Sequence, residues 1–214
     1  MERVVNPHDL LRLGQDAPAF KEAPAWVAAS LERAPFVVVR RARKREGRVA
    51  VGIRGAVRSE RFGAWLDMQH VHAVLTPEML TSRKPHETRA ALPAFKLLQA
   101  VAPICESSGL AWGPTGSVGF EMASDCATVT DKSDLDLLMR APDPLDRSAA
   151  KTLFDDLSAA ASEFAIPIRI DVQIETHDGV FSLAEFAHPG ARVMLRSVDG
   201  PRLVADPWQT SRAA

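Results

Sequence analysis

The chain has 214 residues, 46% hydrophobic and 25% charged, with a formal net charge of −1. Against the roughly 150 residues of a typical domain, this length holds one large or two small domains, which excludes a long repeat array, while the composition excludes global disorder. No apolar run nears the about 20 residues that cross a bilayer, the N-terminus lacks a signal-peptide core, and the balanced charge argues against a general nucleic-acid binder. The expectation is a cytoplasmic protein with neither membrane nor nucleic acid as partner.

In chain order, Pro35 to Arg41 and Arg48 to Arg54 read as two strands joined by the polar turn Lys44-Arg45-Glu46-Gly47. This hairpin is basic: from Glu32 to Arg61 there are ten basic residues against three acidic ones. Thr76-Pro77-Glu78 predicts a helix start, the hydroxyl accepting from a free amide and the proline fitting the first turn. A polar run from Thr81 to Glu87 then places a domain boundary near Pro85, dividing the chain into 1–85 and 86–214.

The second half alternates a helix over about 88–107, a glycine-containing strand and turn over 110–122, a strand over 134–140, a helix over 144–165 and a strand over 168–175. For the helix at 144–165, Asp143 is the predicted cap, Pro144 fits the first turn, and Leu145, Ala149, Leu153, Leu157, Ala160 and Phe164 form an apolar stripe that Pro167 ends. Val193 to Val198 and Pro201 to Val204 flank Asp199-Gly200 as a closing hairpin. The fold class predicted is α+β, a small basic β-rich domain followed by a mixed sheet flanked by helices. From Glu121 to Glu185, fourteen acidic residues face five basic ones. The two charged territories imply either an anionic ligand and a cation site, or two faces attracting each other across a domain boundary.

In Ser133-Asp134-Leu135-Asp136-Leu137, the two-residue period of a strand sends Asp134 and Asp136 to one face and the leucines to the other. Two adjacent carboxylates repel unless water screens them or a cation pairs them, and Mg2+ suits two carboxylates together with substrate phosphates. Alone, the pattern also fits a solvated edge strand. The strand through Ile166, Ile168, Ile170, Val172 and Ile174 alternates strictly and puts Asp171, Gln173 and Glu175 on its open side, where Asp171 can stand opposite the first two carboxylates. Such a trio can hold two metal ions and accept a proton from an attacking hydroxyl.

Upstream, Gly113-Pro114-Thr115-Gly116-Ser117-Val118-Gly119 lets backbone amides approach an anion, although it is neither a P-loop nor a full dinucleotide-binding fingerprint. Cys105 and Cys126, the two cysteines, are read as reduced thiols. His70 and His72 lack a third ligand and predict no zinc, and core packing is the expected role of Trp112 and Trp208.

Gly116-Ser117, then Asp134-x-Asp136 on a strand, then Asp171 on a neighbouring strand, resembles the nucleotidyltransferase superfamily of the DNA polymerase beta type. The resemblance implies a triphosphate held by serine and backbone, with the aspartates holding two metals. The spacing departs from the common pattern, because sixteen residues separate Ser117 from Asp134 and make Ala123 to Lys132 an extra excursion.

A narrower resemblance spans nearly the whole chain. Asn6-Pro7-His8-Asp9, Val51-Gly52-Ile53-Arg54-Gly55, Thr76-Pro77-Glu78, Gly113 to Glu121, Ser133 to Leu137 and Ala205-Asp206-Pro207-Trp208 look like the malonate decarboxylase holo-acyl-carrier-protein synthase family. The resemblance implies transfer of phosphoribosyl-dephospho-CoA from 2′-(5″-triphosphoribosyl)-3′-dephospho-CoA to a serine of the apo acyl carrier subunit of malonate decarboxylase, with release of diphosphate.

On this reading Asp134 and Asp136 bind Mg2+, Asp171 helps activate the acceptor hydroxyl, and Gly116 and Ser117 contact the β- and γ-phosphates. Arg40, Arg41 and Arg54 meet the substrate's other phosphates or the carrier. The alternatives are a nucleotidyltransferase that adenylylates a protein or small molecule, and an inactive module that binds through the basic hairpin.

Overall fold

The computed structural model describes residues 4–43, 45–57, 59–164, 168–190 and 192–209. Lys44 and Arg58 of the basic run, and Ile166 and Pro167 at the predicted helix end, lie outside them.

Two sheets form, as the α+β expectation requires. The first, in the order β4-β3-β2-β1-β5, is antiparallel throughout and consists of β1 (Leu10–Leu13), β2 (Phe36–Val39), β3 (Arg48–Arg54), β4 (Arg61–Asp67) and β5 (Val71–Leu75). The predicted hairpin is β2–β3, with Gly47 at φ 63 in its turn, a left-handed conformation that glycine adopts without a Cβ penalty. Alternation sends Val49, Val51 and Ile53 to a core with Leu11, Val37 and Leu66, covered by helix α1 (Ala25–Arg33). Gly52, Arg54, Val38 and Leu10 take the opposite face.

That opposite face receives the second half of the chain. Leu10, Phe36 and Leu75 join Leu80 of α2 (Pro77–Leu80) and Ala123 of α4 (Gly116–Ser124) in one buried cluster, with the Phe36 and Phe120 rings edge-to-face at 6.3 Å. Thr76 caps α2 as predicted, its hydroxyl accepting from the Met79 amide at 3.4 Å.

The second sheet runs β11-β10-β9-β8-β7-β6, from β6 (Ala111–Pro114), β7 (Leu135–Arg140), β8 (Ile170–Glu175), β9 (Val180–Ser182), β10 (Val193–Ser197) and β11 (Gly200–Val204). Its one parallel pair is β7–β8, joined by α5 (Arg147–Ser162), a strand-helix-strand crossover. Helices α3 (Pro93–Ser107), α5 and α6 (Leu183–Ala187) cover one core, in which Leu135, Leu137, Val172 and Ile174 are buried. The closing hairpin β10–β11 is present, with Gly200 at φ 106. Trp208 packs at 5.4 Å against Phe181 and Phe186 and donates its indole N–H to the Ala141 carbonyl at 2.8 Å, and Trp112 is buried, so both serve the core.

Several boundaries differ from the sequence reading, each for a local reason. Helix α3 starts at Pro93, because a separate short turn at Glu87–Arg89, capped by His86, takes the first predicted residues. Asp146, not Asp143, caps α5, accepting from the Ser148 and Ala149 amides at 2.7 and 3.2 Å; Ala150 and Ala161 are buried, while Ala149 is exposed. The turn expected after β6 is instead α4, a nine-residue helix.

Candidate active site

The strand period works as expected on β7: Leu135 and Leu137 are buried, Asp136 is half-buried, and Asp134 is exposed just before the strand. In the parallel ladder Asp136 stands directly opposite Asp171 of β8, so their backbones lie about 4.8 Å apart. Burial raises the pKa of Asp136, and the negative charges of Asp171 and Asp134 raise it further, against lowering by Arg54 and Arg169. The three predicted carboxylates therefore share one electrostatic site, with Arg169 Nη2 3.9 Å from Asp171 Oδ2. Among the described residues no group of three or more Asp, Glu, His or Cys side chains converges closely enough to hold a metal ion. The donor set is nonetheless all oxygen and electrostatically strained by like charge, which fits a hard cation completed by phosphate oxygens.

Helix α4 begins over this pair. The Thr115 amide donates to the Asp136 carbonyl at 2.9 Å, and Gly116 has φ 59. A Cβ on Gly116 would overlap the Asp136 carboxylate, so glycine is required here by both conformation and space. The first amides of α4, around Gly116 and Ser117, have no side-chain cap, and such amides at a helix N-terminus suit a phosphate.

The predicted arginines separate. Arg54, at the end of β3, is close enough to act on Asp136. The Arg40 side chain lies across the cross-strand pair Gly52 and Gly63, in the space their side chains would fill, on the same face as Arg54. Arg41 instead pairs with Glu175 at the junction of the two sheets. There Arg140 donates to Glu175, to Glu78 at 2.5 Å and to Asp9 at 3.4 Å, tying β7 and β8 to α2 and to the segment before β1. Against the cost of burial, the Arg140 hydrogen bond holds Glu78 below the usual carboxylate range, whereas burial pushes Asp9 up to about 6.

The excursion between α4 and β7 is held by Glu121, a residue given no role from sequence. Its buried carboxylate accepts from Arg89 Nε and Nη2, and from the Thr128 and Val129 amides at 2.7 and 2.8 Å. Arg89 Nη2 also donates to the Val129 carbonyl at 2.6 Å, and the Thr128 hydroxyl donates to the Ser117 carbonyl at 3.0 Å. The sixteen residues between Ser117 and Asp134 are thus folded back against the start of α4. A glutamate buried mid-helix was the available signal, legible only once the helix itself was recognised.

Sheet, helix and carboxylates together define an α+β protein whose acidic strand pair lies beneath a helix N-terminus. Comparison with known proteins narrows this. Residues 6–77 match the model of the phosphoribosyl-dephospho-CoA transferase MdcG N-terminal domain, and residues 79–207 that of its C-terminal domain. A phosphoribosyl-dephospho-CoA transferase of Pseudomonas putida is 42% identical over 208 residues, covering 97% of each chain, and that of Azotobacter vinelandii is 40% identical over 205 residues, covering 95% of this chain and 94% of its own. No solved structure matches the chain. The chain belongs to the phosphoribosyl-dephospho-CoA transferase family. Among the described residues no helix is long and apolar enough to cross a membrane.

Proposed function

We propose that this chain transfers the phosphoribosyl-dephospho-CoA group from 2′-(5″-triphosphoribosyl)-3′-dephospho-CoA to a serine of the apo acyl carrier subunit of malonate decarboxylase, on a nucleotidyltransferase-type site in the cytoplasm. The observation that carries the reading is the Asp136–Asp171 ladder pair beneath the N-terminus of α4, with Arg54 beside it. In the reaction the serine Oγ bonds to the α-phosphorus, the bond between that phosphorus and the bridging oxygen to the β-phosphorus breaks, and the electron pair leaves with diphosphate.

Asp171 takes the hydroxyl proton as the oxygen attacks. The amides of Gly116 and Ser117 receive the β- and γ-phosphates, and Arg54 balances their charge against Asp136. Asp134 and Asp136 would hold Mg2+, which when bound supplies Lewis-acid neutralisation of the triphosphate.

Intact-mass analysis of the apo carrier, incubated with the protein, Mg2+ and either the triphosphoribosyl donor or ATP, tests this. A mass increase of one phosphoribosyl-dephospho-CoA group, absent with Asp134→Ala, is the expected result. Modification by ATP alone, or none, overturns the reading.

A further inference from the structure

A cleft with two arginines among its lining residues lies one helix length from the carboxylates. We propose that the cleft between the C-terminal end of α4 and strands β1, β2 and β5 binds the diphosphate and the pantetheine arm of the dephospho-CoA donor, with Arg12 and Arg83 as its phosphate contacts. The assignment rests on the donor proposed above and adds to it the part of the protein that recognises the non-reacting half.

The strand registers build the cleft. Arg54 pairs with Arg61 across β3–β4. Two residues beyond the Val38–Gly52 pair, the same register sets Phe36 level with Arg54. Phe36 pairs with Arg12, and Arg12 with Ala73. Directly opposed residues share a face, so Arg61, Arg54, Phe36, Arg12 and Ala73 form one row across the sheet, on the face turned to the catalytic half. Arg54 and Arg12 are two strand spacings apart, about 10 Å.

Helix α4 lies along this row. Its first residue meets Asp136, where Arg54 acts; Phe120, at its middle, packs on Phe36; and Ala123, Ser124 and Asp125, at its end, line the cleft with Arg12. Nine residues of helix span about 13 Å.

The cleft has a volume of about 420 Å³, within the range of small-molecule sites. Phe36, Leu75 and Ala123 form its apolar floor. Arg12 and Arg83 are both exposed at its rim. Arg83 spends one donor on the Met122 carbonyl at 3.2 Å, and among the described residues the Arg12 side chain makes no hydrogen bond or ion pair. Paired guanidinium forks over an apolar floor match a diphosphate that continues into a chain of methylenes and amides. Asp125, the one carboxylate lining the cleft among the described residues, suits an amide N–H of that arm.

The donor's chemistry asks for this spacing. Its triphosphate sits on one ribose and its diphosphate on the adenosine ribose, so two sugar rings part the two anionic groups. A protein that grips the reacting phosphates at the start of α4 therefore meets the second diphosphate near the other end of that helix.

Calorimetric titration with 3′-dephospho-CoA and with adenosine monophosphate, which lacks the second phosphate and the arm, tests the assignment. The wild type is expected to bind dephospho-CoA at least about tenfold more tightly than the monophosphate. Arg12→Ala combined with Arg83→Ala, and Arg12→Glu alone, should abolish that preference by weakening dephospho-CoA far more than the monophosphate. Because both arginines are exposed, the variants should retain the wild-type circular dichroism.

A preference that survives in both variants, or one absent from the wild type, overturns the cleft assignment. Carrier modification by the wild type, read by intact mass with the triphosphoribosyl donor, separates that outcome from failure of the donor reading: modification with no arginine effect sinks the cleft alone, and no modification sinks both.

Discussion

Glu121→Gln tests whether the excursion before β7 is held by one buried carboxylate. Glu121 has a side-chain exposure of 5% and accepts two bonds from Arg89 and two from the Thr128 and Val129 amides. These bonds together outweigh the burial cost and hold its carboxyl below the ordinary value. Glutamine removes the charge and turns an N–H pair toward groups that are themselves donors. Breaking a buried ion pair by removing one partner costs about 3–5 kcal/mol. Arg89 keeps 29% side-chain exposure and can recover some hydration, so the low end, about 3 kcal/mol, applies. For a chain of this size that corresponds to a melting point lower by about 6–12 °C. Urea denaturation gives the global value, and amide exchange at Thr128 and Val129 gives the local one. In a double-mutant cycle with Arg89→Leu the two losses should be strongly non-additive. A Glu121→Gln protein within about 1 kcal/mol of the wild type, with Thr128 and Val129 still protected, would refute the reasoning.

Asp136→Asn should abolish carrier modification while raising stability by about 0.5–1 kcal/mol, because it removes a half-buried charge that Asp171 and Asp134 repel; chemical denaturation showing a loss of stability would contradict this. Burial holds the Asp9 pKa at about 6, above the ordinary 3.8 of an aspartate, so the native state keeps a proton that the unfolded chain has lost. The associated stabilisation is complete below pH 3.8 and disappears as pH rises through 6, a change of at most about 3 kcal/mol. Asp9→Asn should therefore gain stability relative to the wild type between pH 4 and pH 7, and an identical pH slope in the two proteins would count against it. Cys105 is fully buried with its thiol pushed up to about 12, whereas Cys126 is half-buried; a thiol reagent should add one label to the native protein, at Cys126, and a second only in denaturant.

Where side-chain period alone decides, the sequence was legible. The alternation in Leu135-Asp136-Leu137 and in Ile170-Asp171-Val172 sets which residues are buried, and the crossover helix with its parallel pairing then brings Asp136 opposite Asp171. The hairpin at Gly47 and the cap at Thr76 are equally local. By contrast, Gly116 to Ser124 reads as a loop because two glycines depress helix propensity; the helix forms because Gly119 allows the Pro114 carbonyl a close approach and Val118 and Met122 are buried in the core. Strands β1 and β9 were not recognised, since Leu10–Leu13 and Val180–Ser182 are too short to show a period and acquire strand character from their neighbours. Arg12 carries no motif at all; its place beside Phe36 follows only from pairing across the first sheet.

The two charged territories in the sequence admitted two explanations, mutual attraction or a ligand, and the structure divides the arginines between them. Arg41 meets Glu175, and Arg140 from the acidic half meets Asp9 and Glu78 from the basic half, so part of the opposite charge serves to fix the sheets against each other. Arg43 and Asp199 repeat the pairing at 2.6 Å, but both are exposed, and such a pair contributes little. Arg54 and Arg12 lie on the face toward α4, outside the Arg140 junction, one acting on the carboxylates and the other lining the cleft at the far end of the helix. Removing the Arg140 guanidinium from the junction should therefore loosen the two halves and lower stability, whereas neutralising the row along α4 should weaken ligand binding and leave the fold intact. The arginines thus do two separable jobs, distinguished by whether the guanidinium is already held in an ion pair with a carboxylate of the other half.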